Sequence, residues 1–319
     1  MTLTELRYIV AVARERHFGR AADACFVSQP TLSVAVKKLE EELDVKIFER
    51  GGNDVSVTTL GEAIVRQAQI VIEQAAAVKE IAKSGKDPLS GPLKLGIIYT
   101  IGPYLLPDLV RQAIDRTPQM PLMLQENFTV KLLDMLRTGE LDCAIMAEPF
   151  PDAGLATAPL YDEPFVVALP ATHPLATRES ISAEELKRET MLLLGTGHCF
   201  RDHVLQAAPG LNRAMNAQGM QRTFEGSSLE TIRQMVASGV GLTVLPSTSV
   251  PERVTRDSLL RYVPFTAPVP DRRVVLVYRK SFPRKAAIEA VRRAVLDCKL
   301  PGTLPLRTGS TSGATAAKT

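Results

Sequence analysis

Between Thr58 and Pro88 the chain contains no proline, and Leu60, Ile64, Val71, Val78 and Ala82 recur at spacings near three and four, with Ala68 and Ala75 filling the gaps. The pattern predicts one helix of roughly 25 residues, too long for an ordinary globular helix and narrow in its apolar stripe. Such a stripe suits pairing with a second copy of the same helix. The alternative is a helix packed on the C-terminal part of its own chain. The segment SGKDPLSGP, residues 84–92, then reads as a linker, so residues 59–91 form a linker helix and hinge.

The flanks of this helix carry different patterns. On the N-terminal side Leu3, Leu6, Val10 and Ala13 form one helical stripe, Ala21, Ala22 and Cys25 mark a second piece, and Leu32, Val36, Leu39 and Leu43 a third. VKIFER and VSVT follow, separated by Gly51, Gly52, Asn53 and Asp54, which predicts a hairpin. Residues 1–58 are therefore expected to be a three-helix headpiece with a wing. From Leu93 onward, strand-like runs (LKLGIIY, PLMLQEN, CAIMA, FVVALP, MLLLG, GLTVLP) alternate with helical ones. The expectation for residues 92–300 is an α/β module with parallel strands. Residues 301–319, rich in Gly, Ser, Thr and Ala, are expected to be a disordered tail.

Composition excludes more than it identifies. With 45% apolar and 23% charged residues among 319, collagen-like, disulfide-scaffold and wholly disordered chains are out. Lys plus Arg exceed Asp plus Glu by only 38 to 35, which argues neither for nor against a polyanionic partner. The four cysteines are far apart, with no CxxC pair and no histidine at zinc spacing, so no metal or cofactor is expected and a reducing cytoplasm fits best. Glu5, Arg7 and Arg14 interrupt the N-terminal apolar run, and no stretch of about 18 apolar residues exists, so export and membrane insertion are not expected.

The third helical piece carries the sharpest pattern. Ser28 can cap it, Pro30 is tolerated in its first turn, and one face is apolar. Gln29, Thr31, Ser33, Lys37 and Lys38 occupy the other faces, with Gln29, Ser33 and Lys37 in line at i, i+4 and i+8. Amides and hydroxyls near the N-terminal end with lysines behind them suit a recognition helix; a solvated face would look much the same. Residues 1–58 hold eight Lys or Arg against nine Asp or Glu, so charge does not decide between the two.

Phe18, Ala21, Ala22, Val27, Ser28, Gln29, Pro30, Leu32, Ser33, Leu39, Glu40, Leu43, Phe48, Arg50, Thr58 and Gly61 together resemble the winged helix-turn-helix of the LysR-type transcriptional regulators. The resemblance covers nearly the whole chain up to about Lys299. It implies a double-stranded DNA operator met by Gln29, Pro30, Thr31, Ser33 and Lys37, with Arg50 at the wing on phosphate or the minor groove. It further implies a homodimer through the linker helix, a homotetramer built from such dimers, RNA polymerase as a further partner, and a two-subdomain regulatory module like periplasmic binding proteins.

In that module Thr100, Thr129 and Cys199 stand at strand ends, where a switch-point cleft would lie. Cys199 falls in GTGHCFRD near the start of a helical run, where helix-start amides, His198 and Arg201 favour a thiolate. Cys25, Cys143 and Cys298 read as small core residues, and His203, four residues after Cys199, either touches the site or, as is commoner, is an exposed helix position. TGHCFRD, the two threonines and SSLETIRQMVASGVGLTVLP resemble the peroxide-sensing branch of the family. The resemblance implies that hydrogen peroxide oxidises Cys199 to sulfenic acid, with Thr100, Thr129 and His198 orienting the oxidant and Arg201 or Asp202 tuning the site. It also implies capture by a second cysteine nine residues on, followed by rearrangement from Cys199 to about Gly219. That position is Ala208 here, and an engineered exchange and a natural single-thiol sensor both fit it. The expected role is a peroxide-responsive regulator of transcription rather than an enzyme. The alternatives are a regulator that binds a small metabolite in the same cleft and a thiol peroxidase.

Overall fold

The computed structural model describes residues 1–51, 54–84, 89–151, 153–208, 228–251, 259–304 and 306, with backbone alone at 50, 51, 54, 77 and 79–84. Three helices open the chain: α1 (Leu3–Glu15), α2 (Phe18–Ala24) and α3 (Gln29–Leu43). Thr2 and Glu5 close a reciprocal capping box on α1, and the Ser28 hydroxyl accepts from the Thr31 amide at the start of α3. Because α2, α3 and the linker helix all pack on α1, its buried arc is wider than one stripe and lies in a different phase from the one expected. Leu6, Ile9 and Val12 are buried, Val10 and Ala13 are half-buried, and Leu3 is exposed. Leu32, Val36 and Leu39 of α3 are buried as expected, whereas Leu43, its last residue, is exposed.

The wing is an antiparallel pair, β1 (Phe48–Gly51) and β2 (Asp54–Val57), with Phe48 opposite Val57 and Arg50 opposite Val55. The linker helix α4 spans Thr59–Ser84, 26 residues, and Thr58 secures its start by accepting from the Gly61 amide at 2.8 Å. Ala68 is buried in the headpiece core, with Ile64, Val65 and Ile72 packed against it, while Leu60, Val71 and Val78 remain exposed. Farther along, Glu73 pairs with Arg279 and accepts from the Ser281 hydroxyl. The predicted stripe is thus divided, and the helix packs on its own chain while keeping a line of exposed apolar residues.

The regulatory module comprises β3 (Leu93–Ile98), α5 (Gly102–Arg116), β4 (Leu122–Asn127), α6 (Thr129–Arg137), β5 (Cys143–Ala147), β6 (Leu155–Pro170), α7 (Ala183–Leu186), α8 (Cys199–Ala207), α9 (Leu229–Ala237), β7 (Thr243–Pro246), β8 (Leu260–Pro264), β9 (Asp271–Arg279) and α10 (Lys285–Leu296). The strands order as β4-β3-β5-β9-β6-β7, with β8 also on β6. Only β3 pairs in parallel, with β4 and β5; β9 is antiparallel to β5 and β6, and β6 to β7 and β8. The expected parallel sheet is therefore mixed. The chain leaves the first unit along the 16-residue strand β6 and returns beside it along β9, so the two crossings run in opposite directions.

This crossing separates two cores. One holds Leu95, Ile97, Leu105, Leu132, Ile145 and Leu276; the other holds Phe165, Val167, Phe200, Val204, Ile232 and Leu245. The run MLLLG forms no strand, only a bridge from Met191 to Leu242. At the expected tail, Gly302 accepts from the Ser247 hydroxyl and Leu304 bridges Asp162, so these two residues are tied to the module although both are exposed. Residues 85–88 of the predicted hinge, 209–219 of the expected rearranging segment and 307–319 of the tail lie outside the described residues. Among those described, no helix is long and apolar enough to cross a membrane.

Candidate functional site

Parallel pairing of β3 and β4 sets Ile98 opposite Asn127, so Thr100 and Thr129, each two residues past its strand end, arrive at one place. There they meet Cys199, the first residue of α8, and its N-cap His198. The four residues, with Ile98, Tyr99, Asn127, Phe128 and Gly197, line a cavity of about 10 Å3. That is close to the roughly 10–15 Å3 a single water molecule needs, and far below the 300–1,000 Å3 or so of metabolite pockets. Gly197 holds φ +96°, which lets the backbone turn into α8. The rings of Tyr99, Phe128 and His198 stack edge to face around the mouth, with Phe128 and His198 centroids 4.8 Å apart.

The cavity is chemically asymmetric. Thr129 is buried and its Oγ1 has no hydrogen-bond partner, whereas the Thr100 Oγ1 accepts from Arg272 Nη1 at 2.8 Å and keeps its own proton to donate. Burial lowers the His198 pKa below the usual imidazole value, so its ring is neutral at pH 7. Both α6 and α8 begin at the cavity, and their N-terminal dipole ends favour developing negative charge on sulfur or oxygen. Burial pushes up the thiols of Cys143, Cys25 and Cys298, the last to about 11, consistent with small core residues.

Three residues are placed differently from expectation. Arg201 donates to the Leu194 carbonyl at 2.9 Å and Asp202 is exposed; neither lines the cavity, the Arg201 side chain being drawn back to the Leu194 carbonyl and that of Asp202 standing in solvent. His203 is buried, not exposed. It lies one helical turn after Cys199, its Nε2–H donates to the Glu148 carbonyl at 2.9 Å, and its Nδ1 has no partner. Burial, and next the Arg272 charge, lower its pKa to about 4.

Sequence reasoning missed the support beneath the cavity. Arg272 donates through Nε to Glu163 at 2.6 Å and through Nη2 to the Thr100 carbonyl at 3.0 Å, and its guanidinium lies 5.0 Å over the Phe200 ring. Glu163, fully buried, also accepts from the Thr248 amide at 3.3 Å and from the Thr248 hydroxyl. These residues come from distant segments and share no local motif. Tyr99 and Phe128 had a usable signal, since each directly precedes one of the strand-end threonines. Among the described residues no group of three His, Cys, Asp or Glu side chains could hold a metal.

On the headpiece, Gln29, Pro30, Thr31 and Lys37 are exposed and Ser33 half-buried, and the Gln29 amide donates to the Ser33 hydroxyl at 3.4 Å. Val34, not singled out from sequence, is 69% exposed on the same helix. The Arg50 backbone lies on β1, and its side chain falls outside the described residues.

Residues 3–62 match the family described as bacterial regulatory helix-turn-helix protein, lysR family, and residues 86–298 match the LysR substrate binding domain. A hydrogen peroxide-inducible genes activator of Dickeya chrysanthemi is 40% identical over 298 residues, covering 93% of this chain and 95% of that protein. The full-length OxyR C199D structure from Pseudomonas aeruginosa is 52% identical, covers 94% of this chain and 99% of its own, and superposes with a TM-score of 0.75. A Corynebacterium glutamicum OxyR cysteine-to-serine mutant, described as H2O2-bound, is 34% identical, covers 92% and 91% of the two chains, and has a TM-score of 0.59.

Proposed function

The chain belongs to the LysR-type transcriptional regulators, in their OxyR branch, and on that premise we propose that it senses hydrogen peroxide through oxidation of Cys199 in the cavity between Thr100 and Thr129. It is a DNA-binding regulator of transcription in the response to peroxide. The observation that carries the sensing role is the water-sized cavity, which presents an unpartnered buried hydroxyl beside the thiol. The Cys199 thiolate attacks one peroxide oxygen, an S–O bond forms as the O–O bond breaks, and the departing hydroxide takes a proton and leaves as water. The thiol loses two electrons and the peroxide gains them. Thr100, Thr129 and His198 position the oxidant, while Arg201, bonded to the Leu194 carbonyl, and the exposed Asp202 take no part in holding it.

Ala208 occupies the place of the second cysteine expected from the family resemblance, so the oxidised chain rests at the sulfenic acid instead of an intramolecular disulfide. The chain consumes one peroxide per thiol and does not turn over as an enzyme. The exposed line of Leu60, Val71 and Val78 on α4 supports a homodimer through the linker helix, and dimers assemble into a tetramer in the cytoplasm. On the operator, Gln29, Pro30, Thr31, Ser33 and Lys37 meet the major groove and Arg50 the wing contact, and RNA polymerase is the further partner. Mass spectrometry with a sulfenic-acid trap after brief peroxide exposure tests the sensor: the label is expected on Cys199, and labelling elsewhere with Cys199 untouched overturns the assignment.

A further inference from the structure

The turn between α2 and α3 contains a residue whose position needs explaining. Phe26 holds φ +58°, in the left-handed region where bulky residues are rare. It is the C′ residue of a helix-ending motif: the Phe26 amide donates to the Asp23 carbonyl at 3.1 Å and the Val27 amide to the Ala22 carbonyl at 3.0 Å. Glycine, or sometimes asparagine, is the usual occupant of that position. Val27 packs against the headpiece core, whereas the Phe26 ring is 95% exposed, the most exposed of the large apolar side chains described. A phenylalanine that strains the backbone and buries nothing within its own chain contributes nothing evident to folding. Strain of this kind persists where function needs it.

Its location supplies the function. Phe26 lies two residues before Ser28, the N-cap of α3, so its Cα is within about 8 Å of the cap, at the helix end that meets base edges in helix-turn-helix complexes. The neighbouring Gln29, Pro30 and Thr31 are exposed as well, so an exposed apolar ring adjoins that polar group in the chain. The headpiece also lacks a positive field, with eight Lys or Arg against nine Asp or Glu in residues 1–58. Non-specific phosphate attraction is correspondingly weak, and contacts to bases must carry more of the discrimination. The one apolar feature that the major groove offers base by base is the thymine 5-methyl group.

We propose that Phe26 is a specificity-determining residue of the DNA interface, packing its ring on a thymine 5-methyl group at the edge of the major groove. This rests on the DNA-binding reading of α3. The test begins with the duplex that the wild-type protein enriches from a random-sequence pool. Replacing single thymines in it by deoxyuridine, which removes only the methyl group, is expected to weaken wild-type binding about fourfold at one position per half-site, the effect of one buried methyl. Phe26→Gly is expected to lose the same affinity, to be insensitive to that deoxyuridine, and to melt at a higher temperature because glycine relieves the left-handed backbone. Phe26→Trp introduces the only tryptophan of the chain, and its emission is expected to shift when the duplex binds. If the wild type binds its duplex but deoxyuridine and Phe26→Gly leave affinity unchanged, or if Phe26→Gly melts lower, the role of Phe26 is overturned and the DNA-binding reading stands. If the wild type enriches no duplex, both fall.

Discussion

Arg272 donates to both the hydroxyl and the carbonyl oxygen of Thr100, at 2.8 and 3.0 Å, and so ties the first strand of one core to the strand that returns from the other. The same guanidinium neutralises Glu163, and both side chains are shut off from solvent. Thr100 is therefore held from below by a charged pair and keeps its hydroxyl proton for the cavity above.

Removing one member of that pair strands the other. Arg272→Met is expected to cost about 3–5 kcal/mol, because a buried carboxylate loses its counterion and its strongest donor. The double change Glu163→Gln with Arg272→Met is expected to recover part of that loss. Urea unfolding of the three proteins checks this, and a single variant as stable as the wild type would refute the buried pair.

Thr129 offers the opposite case. Its Oγ1 is buried without a partner, so Thr129→Val keeps the shape and removes a group that contributes nothing to stability. Thermal unfolding is expected to be unchanged or slightly raised. The rate of sulfenic acid formation at Cys199 is expected to fall by about tenfold or more, as when one positioned donor is lost from a reacting site. Quenched-flow trapping with a sulfenic probe measures it, and an unchanged rate would remove Thr129 from the cavity's chemistry.

His203 gives the fold a pH dependence of definite sign. Its pKa is about 4 in the folded chain, below the roughly 6.5 of an exposed imidazole, so the unfolded chain takes up the proton first as pH falls. Stability from this residue is complete above about pH 6.5 and is lost between there and pH 4, by up to roughly 3 kcal/mol. His198, also lowered by burial, adds in the same direction. His203→Gln retains a donor for the Glu148 carbonyl and is expected to flatten the acid limb of stability against pH, as read from urea midpoints at pH 7 and 4.5.

How much of this was legible in the sequence depended on range. Ser28 as cap, Pro30 in the first turn and the 26-residue linker helix follow from patterns inside one element, and all are present. Thr100, Thr129, His198 and Cys199 converge because strand ends and helix starts are local features that a parallel pair then aligns. The phase of the α1 stripe, the burial of His203 and the Arg272–Glu163 pair depend on what packs from far along the chain, and no window of sequence contains that information. The direction of β6 and β9 was hidden for the same reason, since a strand run looks alike in parallel and antiparallel pairs.

Ala208 allows the final step of the switch to be tested by restoring a thiol. Cys199 opens α8 and Ala208 caps its end, nine residues on, so at 1.5 Å per residue their Cα atoms stand about 13 Å apart along the helix. A disulfide needs Cα atoms within about 7 Å, so no rotamer change can join the two positions while α8 persists. Ala208 is also buried in the second core, 1% exposed, and Cys199 packs against the first. In Ala208→Cys, peroxide is therefore expected to join Cys199 to the introduced thiol only with unwinding of α8. The signature is a mass loss of two hydrogens in the peptide spanning both positions, with a jump in amide hydrogen exchange across 200–207. The wild-type chain, treated alike, is expected to gain one oxygen at Cys199 and to keep slow exchange in that helix. A disulfide that forms while exchange stays slow would mean that the helix geometry does not separate the two positions.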